Sequence, residues 1–211
     1  MVKIFSKRDA LTFGWETTKR NFWFFAKVLC AVFLFFMVIN MVAERFKESA
    51  PLFYFLINIG EVVIGLIVSM GLIKISLKFV DGMRGEWEDL YSQTRFFWDF
   101  LLSSILYGFI VLCGLILFIV PGVIWMVQFY FFRYFIIDKD LGAIDALRKS
   151  AHITRGARWN LLSFLGIAAL INIIGILPFG IGLFFTIPTT LIASAWVYRA
   201  LLANSESGLE K

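Results

Sequence analysis

A single histidine, two cysteines and four prolines are spread over a chain of 211 residues, and these scarcities remove several kinds of chemistry. One histidine cannot build a Cys/His cluster at metal spacing, and no H-E-x-x-H, G-x-S-x-G or G-x-x-x-x-G-K motif occurs, so no cofactor is implied. The apolar runs hold no paired aspartates for an intramembrane hydrolase. Cys30 and Cys113 both lie inside such runs, where thiols act as small apolar side chains rather than disulfide partners. Charge is scarce as well, at 17% of residues. What remains is 60% hydrophobic and 18% aromatic, with a mean hydropathy of +0.84. A water-soluble domain of this length is not so apolar, and the composition predicts a polytopic membrane protein. The net charge of +5 does not point to nucleic acid. Its basic residues fall in short segments between apolar runs, where anionic headgroups and the positive-inside rule account for them.

Six apolar runs suit a bilayer, because about 20 helical residues cover a hydrocarbon core of about 30 Å. They occupy about 22–43, 52–80, 96–120, 123–137, 159–177 and 181–202. The fourth covers only about 23 Å and must begin inside the interface, directly after an uncharged Pro121-Gly122 turn. Pro178-Phe179-Gly180 makes a second uncharged turn, and Pro188 is placed to kink the sixth run. The first run has no small-residue cleavage site and reads as a retained span. Residues 1–20 and 141–155 read as amphipathic helices on the membrane surface. Ser6 and Asp9 resemble a capping box for the first, whereas Asp138 or Asp140 can cap the second and Gly156 can end it. The tail from Asn204 is polar. The expected fold is therefore one all-α membrane domain, 1–211, with six transmembrane helices in three tandem hairpins plus interfacial helices.

Lys and Arg set the orientation. Lys3, Lys7, Arg8, Lys19 and Arg20 precede the first run; Lys74, Lys78, Arg84 and Arg95 flank the second connection; Arg133, Lys139, Arg148, Lys149, Arg155 and Arg158 flank the fourth. The opposite face holds only Arg45 and Lys47. Both termini are expected in the cytoplasm, with the protein in the inner (cytoplasmic) membrane.

The stretch DALTFGWETTKRNFW (9–23) aligns without gaps on DALRKSAHITRGARW (145–159), and EDLYSQTRFFWDFLL from Glu88 follows the same order more loosely. Each precedes a pair of runs, which predicts three parallel units.

Ionisable and amide groups within the runs are the default functional candidates, since a charge at the bilayer centre costs about 2.5–3.5 kcal/mol on the insertion scale. Glu61 is the foremost, lying about 14 Å into its run. It is either protonated or paired with Asn40, Asn58, Gln128 or Asn172, and its plain alternative is a helix-packing hydrogen bond or a span boundary. Lys27 can bend back to the headgroups. Arg148, Lys149, Arg155 and Arg158 are the candidate lipid-headgroup contacts.

From PGVIWMVQFYFFRYFIIDKDLGAIDALRKSAHITRGARWNLL through GIGLFFTIPTTLIASAWVY, the chain resembles a bacterial membrane superfamily that includes the membrane domain associated with glycerophosphodiester phosphodiesterases. The resemblance rests on the Pro-Gly turn, Ala146-Leu147, Ser150, Thr154, Gly156, Trp159, Gly180, Gly182, Pro188 and Tyr198, and covers the C-terminal half. It implies a six-helix integral membrane protein and does not imply phosphodiesterase activity, because in that superfamily the chemistry belongs to a separate soluble domain.

These readings together predict a non-enzymatic protein that binds or organises anionic lipid, or a membrane-protein partner, through its basic interfacial helices. The alternative is a small permease or lipid transporter with Glu61 in the path.

Overall fold

The computed structural model describes residues 5–178 and 180–207. Lys3, Phe179 of the second uncharged turn, and residues 208–211 of the polar tail lie outside the described residues. Helix α1 (Lys7–Arg20) starts where the Ser6 hydroxyl accepts from the Asp9 N–H at 3.3 Å, and Asn21 joins it to α2 (Phe22–Phe46). Helix α3 (Pro51–Val80) begins with proline at its first position, where a missing N–H costs nothing. Two 3-10 turns, Trp87–Leu90 and Thr94–Phe96, lead into α4 (Phe97–Leu117). Then come α5 (Ile119–Gln128), α6 (Phe132–Lys139), the amphipathic α7 (Ala143–Ile153), α8 (Arg158–Ile176) and α9 (Leu183–Ser207). Six helical segments are long and apolar enough to cross a membrane, and the described residues contain no strand. The fold is all-α and polytopic.

Three local expectations are corrected. The turn between α4 and α5 falls at Phe118 (φ −159°, ψ 142°), not at Pro121-Gly122. Pro121 sits in the first turn of α5, where backbone N–H groups have no intrahelical partner to lose. Gly122 serves close approach instead: a β-carbon there would stand 2.6 Å from the Leu115 nitrogen, and one at Gly114 would stand 2.8 Å from the Gly122 α-carbon. The fourth crossing is not continuous but breaks at residues 129–131. Neither Asp138 nor Asp140 caps α7. Its first N–H, from Ala143, reaches Asp99 of α4 at 3.3 Å, and Asp140 instead adopts a left-handed conformation (φ 52°) that ends α6.

Setting the chain on three tryptophans reveals its internal order. Trp23, Trp98 and Trp159 are exposed to 75%, 75% and 76%, equal positions on the outside of the bundle where amphipathic rings suit the bilayer interface. Five residues before each stand buried Thr18, Gln93 and Thr154, and nine before stand buried Gly14, Asp89 and Ser150. Two after are buried Phe25, Phe100 and Leu161; five after are buried Val28, Ser103 and Phe164. Three units therefore share one register of inward and outward positions.

The connecting elements follow a matching rule. The Trp87–Leu90 turn packs on α3, the last helix of the first unit, and α7 packs on α6, the last helix of the second. Helix α1, preceding the first unit, packs along α9, the last helix of the third, which closes the set into a ring. A bilayer is as apolar as a leucine side chain, so burying apolar area between helices contributes little; small residues and hydrogen bonds must hold the ring. A β-carbon at Gly14 would overlap the Thr189 carbonyl oxygen, and one at Gly71 would overlap the backbone of Leu90. Thr189 donates to Thr18 at 3.3 Å, Lys7 donates to Ser163 at 2.9 Å, and Asn160 donates to the Phe5 carbonyl at 3.2 Å. Rather than lying free on a surface, α1 is held by one face against the bundle.

Candidate functional site

At one end of the bundle, here termed the base, the last helices of the three units converge. Asp81 follows α3, Asp138 lies in the last turn of α6, and Arg199 comes from α9. The Arg199 guanidinium donates to Asp81 at 2.9 and 2.6 Å and to Asp138 at 2.7 and 2.8 Å, while the Tyr198 hydroxyl donates to Asp138 at 3.0 Å. One planar fork thus satisfies two carboxylates from two units, a geometry that a lysine point charge could not reproduce. Nearby, Lys78 pairs with Asp89 at 2.7 Å and Glu86 at 3.4 Å, and Arg95 pairs with Asp140 at 3.4 Å. With its donors and acceptors mutually engaged, the junction fastens the three units.

Next to the base, α7 repairs the broken fourth crossing. The break frees the Gln128 carbonyl and the Phe131 N–H, and buried polar groups must find partners. Ser150 and Thr154 each donate to the Gln128 carbonyl at 3.1 Å, and Ser150 accepts from the Phe131 N–H at 3.1 Å. In the tryptophan register these two residues correspond to Gly14 and Thr18, which face α9.

The anticipated site residues scatter. Arg148, Lys149 and Arg155 are exposed on the outer face of α7 and its exit, and Arg148 pairs with Asp145 at 3.3 Å. Arg158 stands apart at the start of α8, where its Nε is buried without a hydrogen-bond partner among the described residues. It borders a 330 Å³ groove lined by Ile119, Val123, Ile124 and Val127 of α5 and by Trp159 and Leu162 of α8. Glu61 accepts from Asn40 at 2.6 Å across the first hairpin and meets none of the other candidates. Lys27 is exposed on α2. Gln128 contributes its backbone carbonyl, and Asn172 donates to Thr190 at 3.1 Å while its Oδ1 stays buried and unpartnered among the described residues. Sequence reasoning missed Arg199, Asp81 and Asp138. The available signal was that Asp81 and Asp138 directly follow the last runs of the first two units and Arg199 lies near the end of the third.

The fold and the base define a multi-pass, all-helical membrane protein. A family model described as a domain of unknown function (DUF7847) matches residues 90–206, and the chain belongs to that family. The match takes in the second and third units together with Asp138, Arg199 and the Arg158 groove. No curated protein and no solved structure matches the chain.

Proposed function

We propose that this is a non-enzymatic membrane protein that binds anionic lipid at the Arg158 groove, with Arg148, Lys149 and Arg155 as the adjoining headgroup surface. The observation that carries the reading is a buried guanidinium Nε, unpartnered among the described residues, beside a 330 Å³ apolar groove. A lipid fills both halves: its phosphate supplies the missing acceptor, and its chain lies along Ile119, Val123 and Val127. Trp159, 76% exposed beside the arginine, suits the headgroup level. The exposed cations add long-range attraction, each worth about 1 kcal/mol near an anionic leaflet. The distribution of Lys and Arg supports a cytoplasmic membrane with both termini in the cytoplasm, and the resemblance noted above supports a bacterial one. The basic face of α7 is equally suited to an acidic membrane-protein partner. Glu61, engaged by Asn40, adds nothing toward a permease.

Native mass spectrometry of the protein released from its own membrane tests the reading. Retained anionic lipid should fall sharply in Arg158→Gln and to a lesser degree when Arg148, Lys149 and Arg155 are neutralised together. Unchanged lipid in both variants overturns it.

A further inference from the structure

Two adjoining chambers, separate from the Arg158 groove and open to the bundle surface, hold a second cation that makes no ion pair among the described residues. The smaller, of 220 Å³, is lined by Ile73, Phe132, Arg133 and Tyr134. The larger, of 430 Å³, is lined by Met126, Leu165, Ala169, Asn172, Thr190 and Ser194. Tyr107, Tyr130 and Leu191 border both. The Arg133 guanidinium lies 5.6 Å from the Phe100 ring centroid and 5.4 Å from that of Phe132, cation–π contacts that use none of its N–H groups as hydrogen-bond donors to oxygen. Among the described residues Arg133 has neither a carboxylate within ion-pair distance nor a hydrogen bond, in contrast to Arg199 and Lys78.

The polar groups of the larger chamber are partly spent and partly open. Tyr107 donates to the Met126 carbonyl at 3.2 Å, Tyr130 and Ser194 share a contact of 3.4 Å, and Asn172 spends its amide nitrogen on Thr190. Among the described residues the Asn172 Oδ1 is left as a buried acceptor without a donor. Buried polar atoms are satisfied as a rule, and an exception on a residue that lines a cavity marks a place for a ligand group.

We propose that these chambers bind a small amphipathic carboxylate whose head sits on Arg133, whose chain fills the larger chamber, and whose hydroxyl donates to Asn172 Oδ1. A carboxylate matches the planar fork of one arginine. A phosphate monoester would bring close to two negative charges to a single cation. The mixed lining of Met126, Leu165 and Ala169 with Thr190 and Ser194 suits a chain that is apolar in its middle and polar at its end.

The test uses the full chain in nanodiscs of phosphatidylcholine, a lipid without net charge, with radiolabelled ω-hydroxydecanoate as the probe. Saturable binding is expected, displaced better by ω-hydroxydecanoate than by decanoate, and not by decanol. Arg133→Gln should weaken binding at least about tenfold, and Asn172→Ala should erase the about three- to tenfold preference for the hydroxylated chain while leaving decanoate competition intact. Arg158→Gln should leave both unchanged, which separates this site from the lipid groove. Non-saturable binding, or saturable binding indifferent to both chamber variants, overturns the proposal. Should Arg133→Gln fail to fold, the ratio between the two acids in Asn172→Ala decides alone.

Discussion

Phe33, Val38 and Met41 of α2 and Leu52, Phe55 and Val62 of α3 are each at least 59% exposed, whereas Ile75, Leu77, Phe131, Ile136, Tyr198 and Leu201 near the base are exposed by 2% or less. Polar contacts divide the same way. Across the outer half of the first hairpin the side chains make one polar link, from Asn40 to Glu61, while the base carries the Arg199 fork, the Lys78 pairs and the bonds from Ser150 and Thr154. An apolar cleft of 510 Å³ further separates α2 from the first turns of α9. Lipid offers the outer hairpin contacts as good as those of a neighbouring helix, so its helices need only connectivity and a short loop. The base has to specify which helices meet, and it does so with groups that lipid cannot replace. The family match begins at residue 90, beyond both hairpin helices.

The largest expected effect lies at the fork. Arg199→Ala leaves Asp81 and Asp138 facing each other without a cation in a junction where the Asp138 side chain is 12% exposed. Breaking a fully buried ion pair by removing one partner costs about 3–5 kcal/mol, and with Arg199 26% and Asp81 32% exposed the loss expected here is about 2 kcal/mol. Reversible unfolding in mixed micelles should show that loss, and adding Asp81→Asn and Asp138→Asn to the same chain should recover part of it. A loss no greater than that of an outer-hairpin variant would break the contrast between the two regions.

Next comes the repaired break. Ser150→Ala combined with Thr154→Val strips the Gln128 carbonyl and the Phe131 N–H of their side-chain partners, at about 1–3 kcal/mol for orphaned buried groups. Hydrogen exchange at the Phe131 amide should accelerate, whereas amides in the middle of α4 should not change.

How far the sequence discloses this architecture follows from which forces act where. Span positions are legible because a bilayer demands about 20 apolar residues and internal backbone bonding, and the ends of α2, α3 and α8 fall within three residues of the hydropathy reading. The break at 129–131 is not legible: FYF carries neither proline nor glycine, and the partners that stabilise it lie some twenty residues away in α7. Pro121-Gly122 misleads because proline in a first turn and glycine at a helix crossing are locally indistinguishable from a turn. Arg199 escaped notice for a related reason. A lone arginine near the end of a run reads as a snorkelling cation, and only the fold brings Asp81 and Asp138 to it. The Arg158 groove was half legible, its cation visible and its apolar wall contributed by another helix.

A glycine pair sharpens the comparison at a smaller scale. Gly14→Ala drives a methyl into the backbone of α9, which cannot swing aside, and overpacking of this kind costs about 1–3 kcal/mol. Gly60 in the outer half of α3 has nothing within 4 Å of its would-be β-carbon, so Gly60→Ala should be neutral or gain up to about 1 kcal/mol from helix propensity. Protease sensitivity of α1 should rise in the first variant and stay at the parental level in the second.

The smallest effect belongs to Glu61, the most conspicuous residue in the sequence. Interhelical hydrogen bonds within membranes average about 0.6 kcal/mol, because helices that separate find other partners. Glu61→Gln keeps an oxygen for the Asn40 amide, which also bonds the Phe36 carbonyl at 3.0 Å. Its unfolding free energy should therefore fall by less than about 1 kcal/mol, and Glu61→Leu should do little more. A Glu61→Leu loss as large as that of Arg199→Ala would mean that the hairpin is specified by a polar clamp of its own. The division between a lipid-held outer half and a bond-held base would then fail at the point where the sequence first drew attention.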